Sequence, residues 1–140
     1  MRAVVIYESL TGNTARAARV IAEAVRDEGA EVSVYPITAI GLKDLAEADI
    51  VFVGTWVDGL ILVGHRPGRA GRLRSMPVID GKRAAAFMTY AIHAGKALER
   101  FERVLEERGA TVVASTLLRR DRIPAGVDEF VREALATVPA

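Results

Sequence analysis

The chain has 140 residues, of which 51% are hydrophobic and 26% are charged, and its formal net charge is +1. This balance excludes a disordered chain and is typical of one globular domain that can bury a core. The absence of cysteine excludes disulfides, thiol nucleophiles and iron–sulfur clusters, and the separated histidines His65 and His93 cannot form a histidine-rich metal site.

The first residues, MRAVVIYES, lead directly into a strand pattern and lack the apolar region and cleavage site of a signal peptide. No apolar run in the sequence approaches the roughly 18 residues that a membrane-spanning helix requires. We therefore expect a cytoplasmic protein that does not act at a membrane.

Short apolar runs alternate with amphipathic stretches along the whole chain. In chain order they predict strand Ala3–Tyr7, helix Asn13–Asp27, strand Glu31–Pro36, a short helix around Leu42–Ala46, strand Ile50–Gly54, strand Arg83–Met88, helix Gly95–Arg108, strand Thr111–Leu118 and helix Val127–Val138. The stretch Val57–Gly81 contains many glycines and prolines and is predicted to be mostly loop, with one helical turn near Arg69–Arg74 as a further candidate.

The order of these elements indicates the fold class. Ile50–Gly54 and Arg83–Met88 are nearly continuous apolar runs, which is typical of parallel strands covered on both faces. Repeated strand–helix units predict an α/β fold with a doubly wound parallel sheet and right-handed crossovers. No change in composition or repeat divides the chain, so residues 1–140 are expected to form one domain.

A turn rich in hydroxyl groups joins the first predicted strand to the first predicted helix. Ser9, Thr11 and Thr14 offer three hydroxyl donors, and Gly12 allows close approach of the backbone. Because a helix N-terminus also presents N–H groups and a positive dipole, the turn can hold a phosphate dianion without Lys or Arg. The GxGxxG and Walker patterns are both absent. The alternative is an ordinary capped helix start.

The same segment resembles the signature of the flavodoxin family, in the strand end Val5–Tyr7, in Ser9, Gly12 and Thr14 of the turn, and in Ala18 and Ile21 of the helix. The resemblance in element order covers essentially the whole chain, although only this motif is specific. It implies a three-layer flavodoxin-like domain with a five-stranded parallel sheet of order 2-1-3-4-5 and helices on both faces. It also implies an electron-transfer protein that binds FMN non-covalently, with the phosphate held by Ser9, Leu10, Thr11, Gly12, Asn13 and Thr14.

The segment VGTWVDG, from Val53 to Gly59, looks like the first flavin loop of that family, in which an aromatic residue stacks on the ring. Trp56, the only tryptophan, is the expected stacking residue. The backbone that would meet the polar edge of the ring is that of Thr55, Trp56, Val57 and Asp58. The alternative is that Trp56 packs beneath the loop that follows.

Val57 occupies the position at which the family places a glycine whose peptide flips to stabilise the one-electron-reduced flavin. A β-branched residue strongly disfavours the positive φ that this flip requires. Unless Gly59 takes over the role, the one-electron-reduced form should be weakly stabilised. This departure leaves open an FMN-dependent two-electron oxidoreductase acting on a quinone or porphyrinogen, although the short chain has little room for a substrate lid.

The segment FMTYAIHAGK, from Phe87 to Lys96, corresponds by position to the second flavin loop. The resemblance implies that Tyr90 lies against the ring, that Thr89 offers a hydroxyl, and that the backbone through Ala91 and His93 meets the polar edge. The segment lacks the acidic Gly-Asp stretch of flavodoxins proper. The alternatives are an ordinary aromatic residue at a strand end for Tyr90 and a solvated loop position for His93.

Basic residues are concentrated between Arg66 and Arg83, where Asp80 is the only acid; they are Arg66, Arg69, Arg72, Arg74, Lys82 and Arg83. The part HRPGRAGRLRSMP is expected near the flavin edge, with a second cluster formed by Arg119, Arg120 and Arg122. A solvated loop is the commonest explanation of such a basic run. The next interpretation is an acidic redox partner protein, because a basic patch attracts acidic molecules.

The composition of the basic segment also bears on whether the protein binds nucleic acid. It has no interleaved aromatic residues and no recognised nucleic-acid motif, so no nucleic-acid partner is expected. The chain is expected to be a monomer or a weak dimer. A flavin-free binding module that acts through the arginine-rich surface is the remaining alternative to an FMN protein.

Overall fold

Strands and helices alternate along the chain in the order that the sequence predicts. The computed structural model describes residues 1–9, 12–58, 66–67 and 79–139. The elements are β1 (Arg2–Tyr7), α1 (Asn13–Asp27), β2 (Glu31–Pro36), α2 (Leu42–Glu47), β3 (Ile50–Asp58), β4 (Arg66–Pro67), β5 (Arg83–Tyr90), α3 (Ala97–Glu107), β6 (Thr111–Arg119) and α4 (Val127–Leu135). The helical turn considered near Arg69–Arg74 lies outside the described residues.

Five parallel strands form the sheet in the order β2-β1-β3-β5-β6. The two-residue strand β4 pairs antiparallel with the end of β3 and lies off this path. Without β4, the parallel strands have the predicted order 2-1-3-4-5, and the flavodoxin-like fold class is confirmed. The polarity of such a sheet brings the carboxyl ends of its strands to one edge, where open α/β sheets bind ligands.

Side chains that alternate along the strands build two core layers, one on each face of the sheet. On one face, Phe52 and Phe87 pack with residues of α1 and α4, and the rings of Phe52 and Phe130 meet edge to face with centroids 5.7 Å apart. On the other face, Val53 and Met88 pack with residues of α2 and α3. The prediction of helices on both faces is therefore confirmed.

The predicted strand ends were too early at the edge that carries the carboxyl ends. The sequence ended the third strand at Gly54, but β3 continues to Asp58 because Trp56 pairs with Thr89 of β5 and Val57 pairs with Pro67 of β4. Val57 and Asp58 therefore belong to a strand and not to the predicted loop. β5 likewise continues past Met88 to Tyr90, since Tyr90 pairs with Arg119 of β6.

Two helices are shorter than the sequence predicts, and local geometry explains both differences. α3 begins at Ala97 because Gly95 has a left-handed φ of +57°, which a helix cannot contain. α4 ends at Leu135 because the next backbone hydrogen bonds span three residues instead of the four of an α-helix. The N–H and the hydroxyl of Thr137 both donate to the carbonyl of Ala134.

Gly54 lies in the middle of the sheet, directly beside the ring of Phe87. The two residues are register partners on β3 and β5. A Cβ added at Gly54 would lie 2.1 Å from two atoms of the Phe87 ring. The absence of a side chain at Gly54 therefore allows the ring to cross β3 and fill the core beneath the carboxyl edge.

Helix α2 is attached to β2 through a tyrosine and an aspartate. The hydroxyl of Tyr35 donates a hydrogen bond to the carboxylate of Asp44, and this bond raises the pKa of Tyr35 above its ordinary value. A Cβ on Gly41, just before α2, would lie 2.5 Å from the Tyr35 ring, so the glycine permits this close packing.

Lys82 and Arg83 lie at the amino end of β5, which is opposite the edge where the strands have their carboxyl ends. The Lys82 ammonium donates 2.8 Å hydrogen bonds to the carbonyls of Ala46 and Ala48, where α2 ends. These carbonyls would otherwise lack helical donors. Part of the basic segment Arg66–Arg83 thus serves the fold and lies away from the candidate site.

Replacing Lys82 with Met is expected to lower the free energy of unfolding by about 1 kcal/mol, because two charged hydrogen bonds at a half-exposed position are lost. Urea denaturation measures the change. Lys43→Met is the control, since Lys43 is exposed on the same helix, and it should stay within about 0.5 kcal/mol of the parent. Equal losses in the two variants would show that the hydrogen bonds of Lys82 contribute nothing specific.

Candidate functional site

The residues predicted to bind a ligand lie at one edge of the sheet, in three segments that follow β1, end β3 and end β5. β1 lies beside β3, and β3 lies beside β5, so the three segments are spatial neighbours. The N–H of Glu8 donates to the carbonyl of Gly54 at 2.9 Å and joins the first two segments at their base. The topology therefore assembles the predicted site from parts that are distant in the sequence.

The described residues just before α1 are Ser9 and Gly12. Gly12 is the N-cap residue and has a left-handed φ of +93°, and no side-chain cap is recorded at this helix start. The hydroxyl of Ser9 accepts the Gly12 N–H at 3.1 Å and orders the turn. Among the described residues, the N-cap position of α1 is thus held by a glycine and not by a side-chain cap. Leu10 and Thr11 lie outside the described residues.

Thr14 and Thr89 form a buried hydroxyl pair that links the turn to β5. Their oxygens are 2.9 Å apart, and the two residues are only 1% and 2% exposed. Each hydroxyl carries one hydrogen, and the pair uses one of the two. When Thr89 donates to Thr14, the Thr14 hydrogen can be given to an anion in the turn. Sequence reasoning predicted both residues but not this contact between them.

Trp56 and Tyr90 are half-buried and stand on opposite faces of the sheet. Trp56 is the register partner of Thr89, so these two side chains share the face covered by α1 and α4. Tyr90 is one residue further along β5 and therefore points toward the face covered by α3. A flat ring lying across the strand ends would have one aromatic residue on each side.

The remaining predicted residues surround these two aromatic side chains. Thr55 is fully buried, and Val57 is half-buried against the layer that contains Val53. The backbone of Asp58 pairs with Arg66 of β4. Ala91 and His93 are exposed in the segment that follows β5. The structure thus places every predicted site residue that it describes at the same edge.

Sequence reasoning missed two residues at this edge. Glu8 directly follows β1 and is only 2% exposed. Arg16, in the first turn of α1, donates from its guanidinium to the carbonyl of Arg120 at 2.9 Å, and the N–H of Arg120 donates to the carbonyl of Tyr90 at 2.9 Å. The sequence did contain a signal for Arg16, because this residue lies two positions after Thr14 in the first turn of the same helix.

The donor chemistry and shape of this edge fit FMN. The turn offers a helix N-terminus and hydroxyls of the kind that bind phosphate. Trp56 on β3 lies one strand away from β1, Tyr90 on β5 lies two strands away, and the two aromatic side chains are on opposite faces of the sheet edge. Among the described residues, no group of acids and histidines could hold a metal ion, and no helix is both long and apolar enough to cross a membrane.

Comparison with known proteins agrees with this geometry. A family profile described as the flavodoxin domain matches residues 4–138. The flavodoxin of Clostridium beijerinckii is 26% identical over 114 residues, which cover 81% of this chain and 83% of that protein. The crystal structure of oxidised flavodoxin 1 from Bacillus cereus has a TM-score of 0.75 and 23% identity, covering 99% of this chain and 100% of that one.

A second solved structure, the Fusobacterium nucleatum flavodoxin bound to flavin mononucleotide, has a TM-score of 0.71 and 12% identity and covers 99% of both chains. At these identities the two solved structures support the fold, whereas the profile covers nearly the whole sequence and identifies the family. The chain therefore belongs to the flavodoxin family, the FMN-binding electron-transfer proteins that the motif after β1 predicted.

Proposed function

We propose that FMN occupies the edge formed by the ends of β1, β3 and β5, with its phosphate in the turn before α1 and its ring between Trp56 and Tyr90. The observation that carries the proposal is the convergence of a helix N-terminus that begins at Gly12, a buried hydroxyl pair and two aromatic residues on opposite faces. The phosphate ligands in this proposal are Ser9, Leu10, Thr11, Gly12, Asn13 and Thr14.

The division of labour in this site follows from the residues present. Bound FMN supplies the redox chemistry, and the protein supplies orientation and electrostatics. Uncharged donors of the turn hold the phosphate, while Thr55–Asp58 and Thr89–His93 present backbone groups to the ring. FMN is bound by the related flavodoxin of Fusobacterium nucleatum, which supports this choice of ligand.

We expect added FMN to quench the fluorescence of Trp56, because stacking on a flavin opens an efficient path for energy transfer. Trp56 is the only tryptophan, so the signal reports this position alone. Trp56→Leu should lower FMN affinity by about tenfold, the equivalent of the roughly 1.4 kcal/mol that aromatic stacking contributes. Flavin absorbance measures binding in that variant.

Riboflavin provides the control, since it carries the ring but no phosphate and should lose a similar factor in the Trp56→Leu variant. Unchanged fluorescence together with no FMN binding would overturn the proposed site.

Stepwise reduction of the FMN-bound protein shows whether the flavin accepts its electrons one at a time or two at once. A coloured one-electron-reduced species supports a carrier, whereas direct bleaching indicates the two-electron chemistry that Val57 leaves open.

The partner in this proposal is an acidic redox protein, and the place of action is the cytoplasm. Three exposed arginines lie at the end of β6 beside the proposed ring site: Arg119 ends the strand, and Arg120 and Arg122 follow it. Charges of one sign near a redox site raise the rate of encounter with partners of opposite sign. The arginines Arg69, Arg72 and Arg74 of the basic segment lie outside the described residues.

A further inference from the structure

Four arginines lie near the end of β5 on its β6 side, and the exposed Ile92 follows that end by two residues. We define the arginine corner as Arg16, Arg119, Arg120 and Arg122. Two hydrogen bonds hold the arginine corner together. The guanidinium of Arg16 donates to the carbonyl of Arg120, and the N–H of Arg122 donates to the carbonyl of Arg119 at 2.8 Å. Residues from α1 and from the turn after β6 thus form one surface.

The charge of the arginine corner is distinct from that of the chain. Within the described residues, only Arg119 of the four forms an ion pair, with Asp121 at 3.0 Å, and both side chains of that pair are about half exposed. The corner with Asp121 carries a net charge of +3, whereas the whole chain carries +1. Because salt screens charges beyond about 8 Å at physiological ionic strength, an approaching protein responds to the corner and not to the chain average.

The position of the corner connects it to the proposed ring site. Arg120 donates its N–H to the carbonyl of Tyr90, and Arg119 is the register partner of Tyr90. Ile92, two residues after Tyr90, is 66% exposed, which is unusual for a large apolar side chain. Protein interfaces commonly combine exposed apolar side chains with a polar rim.

We propose that the arginine corner and Ile92 form the docking surface for an acidic redox protein, which places the partner's redox centre beside Tyr90. This inference rests on the proposed FMN site and adds the surface by which that site is reached. The proposed charge complementarity depends on arginines that lie outside the phosphate turn, so it can be tested separately from FMN binding. The transferred species is one electron, from the reduced flavin to the oxidised metal centre of the partner.

The test compares two double variants that have the same net charge. Arg120→Glu/Arg122→Glu reverses two charges of the corner, and Arg103→Glu/Arg132→Glu reverses two exposed arginines on α3 and α4. FMN titration of the parent and both variants comes first, and equal affinities are expected. If FMN does not bind to the parent, the proposed function fails, and that result is separate from any result on docking.

The probe is cytochrome b5, a small acidic haem protein, mixed in its oxidised form with the reduced, FMN-loaded protein. Stopped flow follows reduction of haem Fe(III) to Fe(II), and calorimetry measures complex formation independently of the flavin. We expect the parent's rate constant to fall by about tenfold when salt rises from about 20 to about 200 mM. At low salt, the corner variant should be about tenfold slower and the control variant within about twofold of the parent.

Three outcomes would overturn the docking surface while leaving the FMN site intact. The parent's rate and affinity show no salt dependence, or the two double variants lose the same factor, or a single-stranded DNA oligonucleotide binds the corner more tightly than cytochrome b5 does. Ile92→Ser supplies a further check, because it should weaken the complex without altering the salt dependence. An Ile92→Ser complex as tight as the parent's would remove the apolar contact from the surface.

Discussion

Replacing Thr14 with Val is expected to lower FMN affinity by about 30- to 100-fold, because a hydrogen bond to a doubly charged phosphate is lost. The substitution keeps the shape of a side chain that is only 1% exposed. It also leaves the Thr89 hydroxyl buried without its Thr14 partner, which should reduce the free energy of unfolding by about 1–2 kcal/mol. Titration followed by flavin absorbance and urea denaturation measure the two effects.

The Thr14–Thr89 pair predicts a further result for Thr89→Val. If Thr89 donates to Thr14 and orients its hydrogen toward the turn, this variant should weaken FMN binding by about fivefold while riboflavin affinity remains unchanged. Inorganic phosphate should likewise raise the melting temperature of the Thr89→Val protein less than that of the parent.

The double variant Thr14→Val/Thr89→Val separates stability from binding. Replacing both buried hydroxyls with methyl groups removes the unsatisfied polar atom, so the free energy of unfolding should return close to the parent value. FMN affinity should stay as low as in Thr14→Val. Recovery of FMN binding in the double variant, or an equal loss of riboflavin and FMN affinity in Thr89→Val, would contradict a phosphate role for the pair.

Replacing Gly54 with Ala is expected to lower the free energy of unfolding by about 3 kcal/mol, since the new Cβ would lie 2.1 Å from the Phe87 ring. Both residues are in the middle of paired strands, where the backbone has little freedom to move apart. The ring must leave its position, and the core face that it shares with Phe52 must repack. Urea denaturation measures the loss.

A second substitution tests whether the Phe87 ring is the cause. Phe87→Leu alone should reduce stability by about 1–2 kcal/mol, because core volume is lost. The double variant Gly54→Ala/Phe87→Leu should lose less free energy of unfolding than the sum of the two single variants, since the smaller side chain relieves the clash. Additive losses would show that the alanine acts through the strand itself and not through the ring.

Most of the fold could be predicted from local pattern. The helix Asn13–Asp27 and the strand Glu31–Pro36 have the predicted bounds, because amphipathic spacing, a closing glycine and β-branched runs are signals carried by neighbouring residues. The ends of β3 and β5 could not be predicted in this way. Residues 55–58 are extended because they pair with β5 and β4, and residues 89–90 because they pair with β6, and this pairing depends on tertiary contact.

The candidate site shows the same division between local and distant information. The turn of Ser9, Gly12 and Thr14 is a local motif, and it led to the correct family. The contact between Thr14 and Thr89 joins residues 75 positions apart, and the bond from Arg16 to Arg120 joins residues 104 apart. Sequence reasoning treated Lys82 as part of a basic segment, whereas the fold uses its charge to hold α2.

The placement of Trp56 and Tyr90 on different faces of the sheet has a consequence for how substitutions can change the midpoint potential of the flavin. The sheet face that carries Trp56 is covered by α1 and α4, whereas the face that carries Tyr90 is covered by α2 and α3. The residues beneath the two aromatic side chains therefore belong to different core layers. With FMN seated as proposed, evolution can adjust the polarity on either side of the flavin independently. Substitutions in the two core layers would then make separate contributions to the midpoint potential of the flavin.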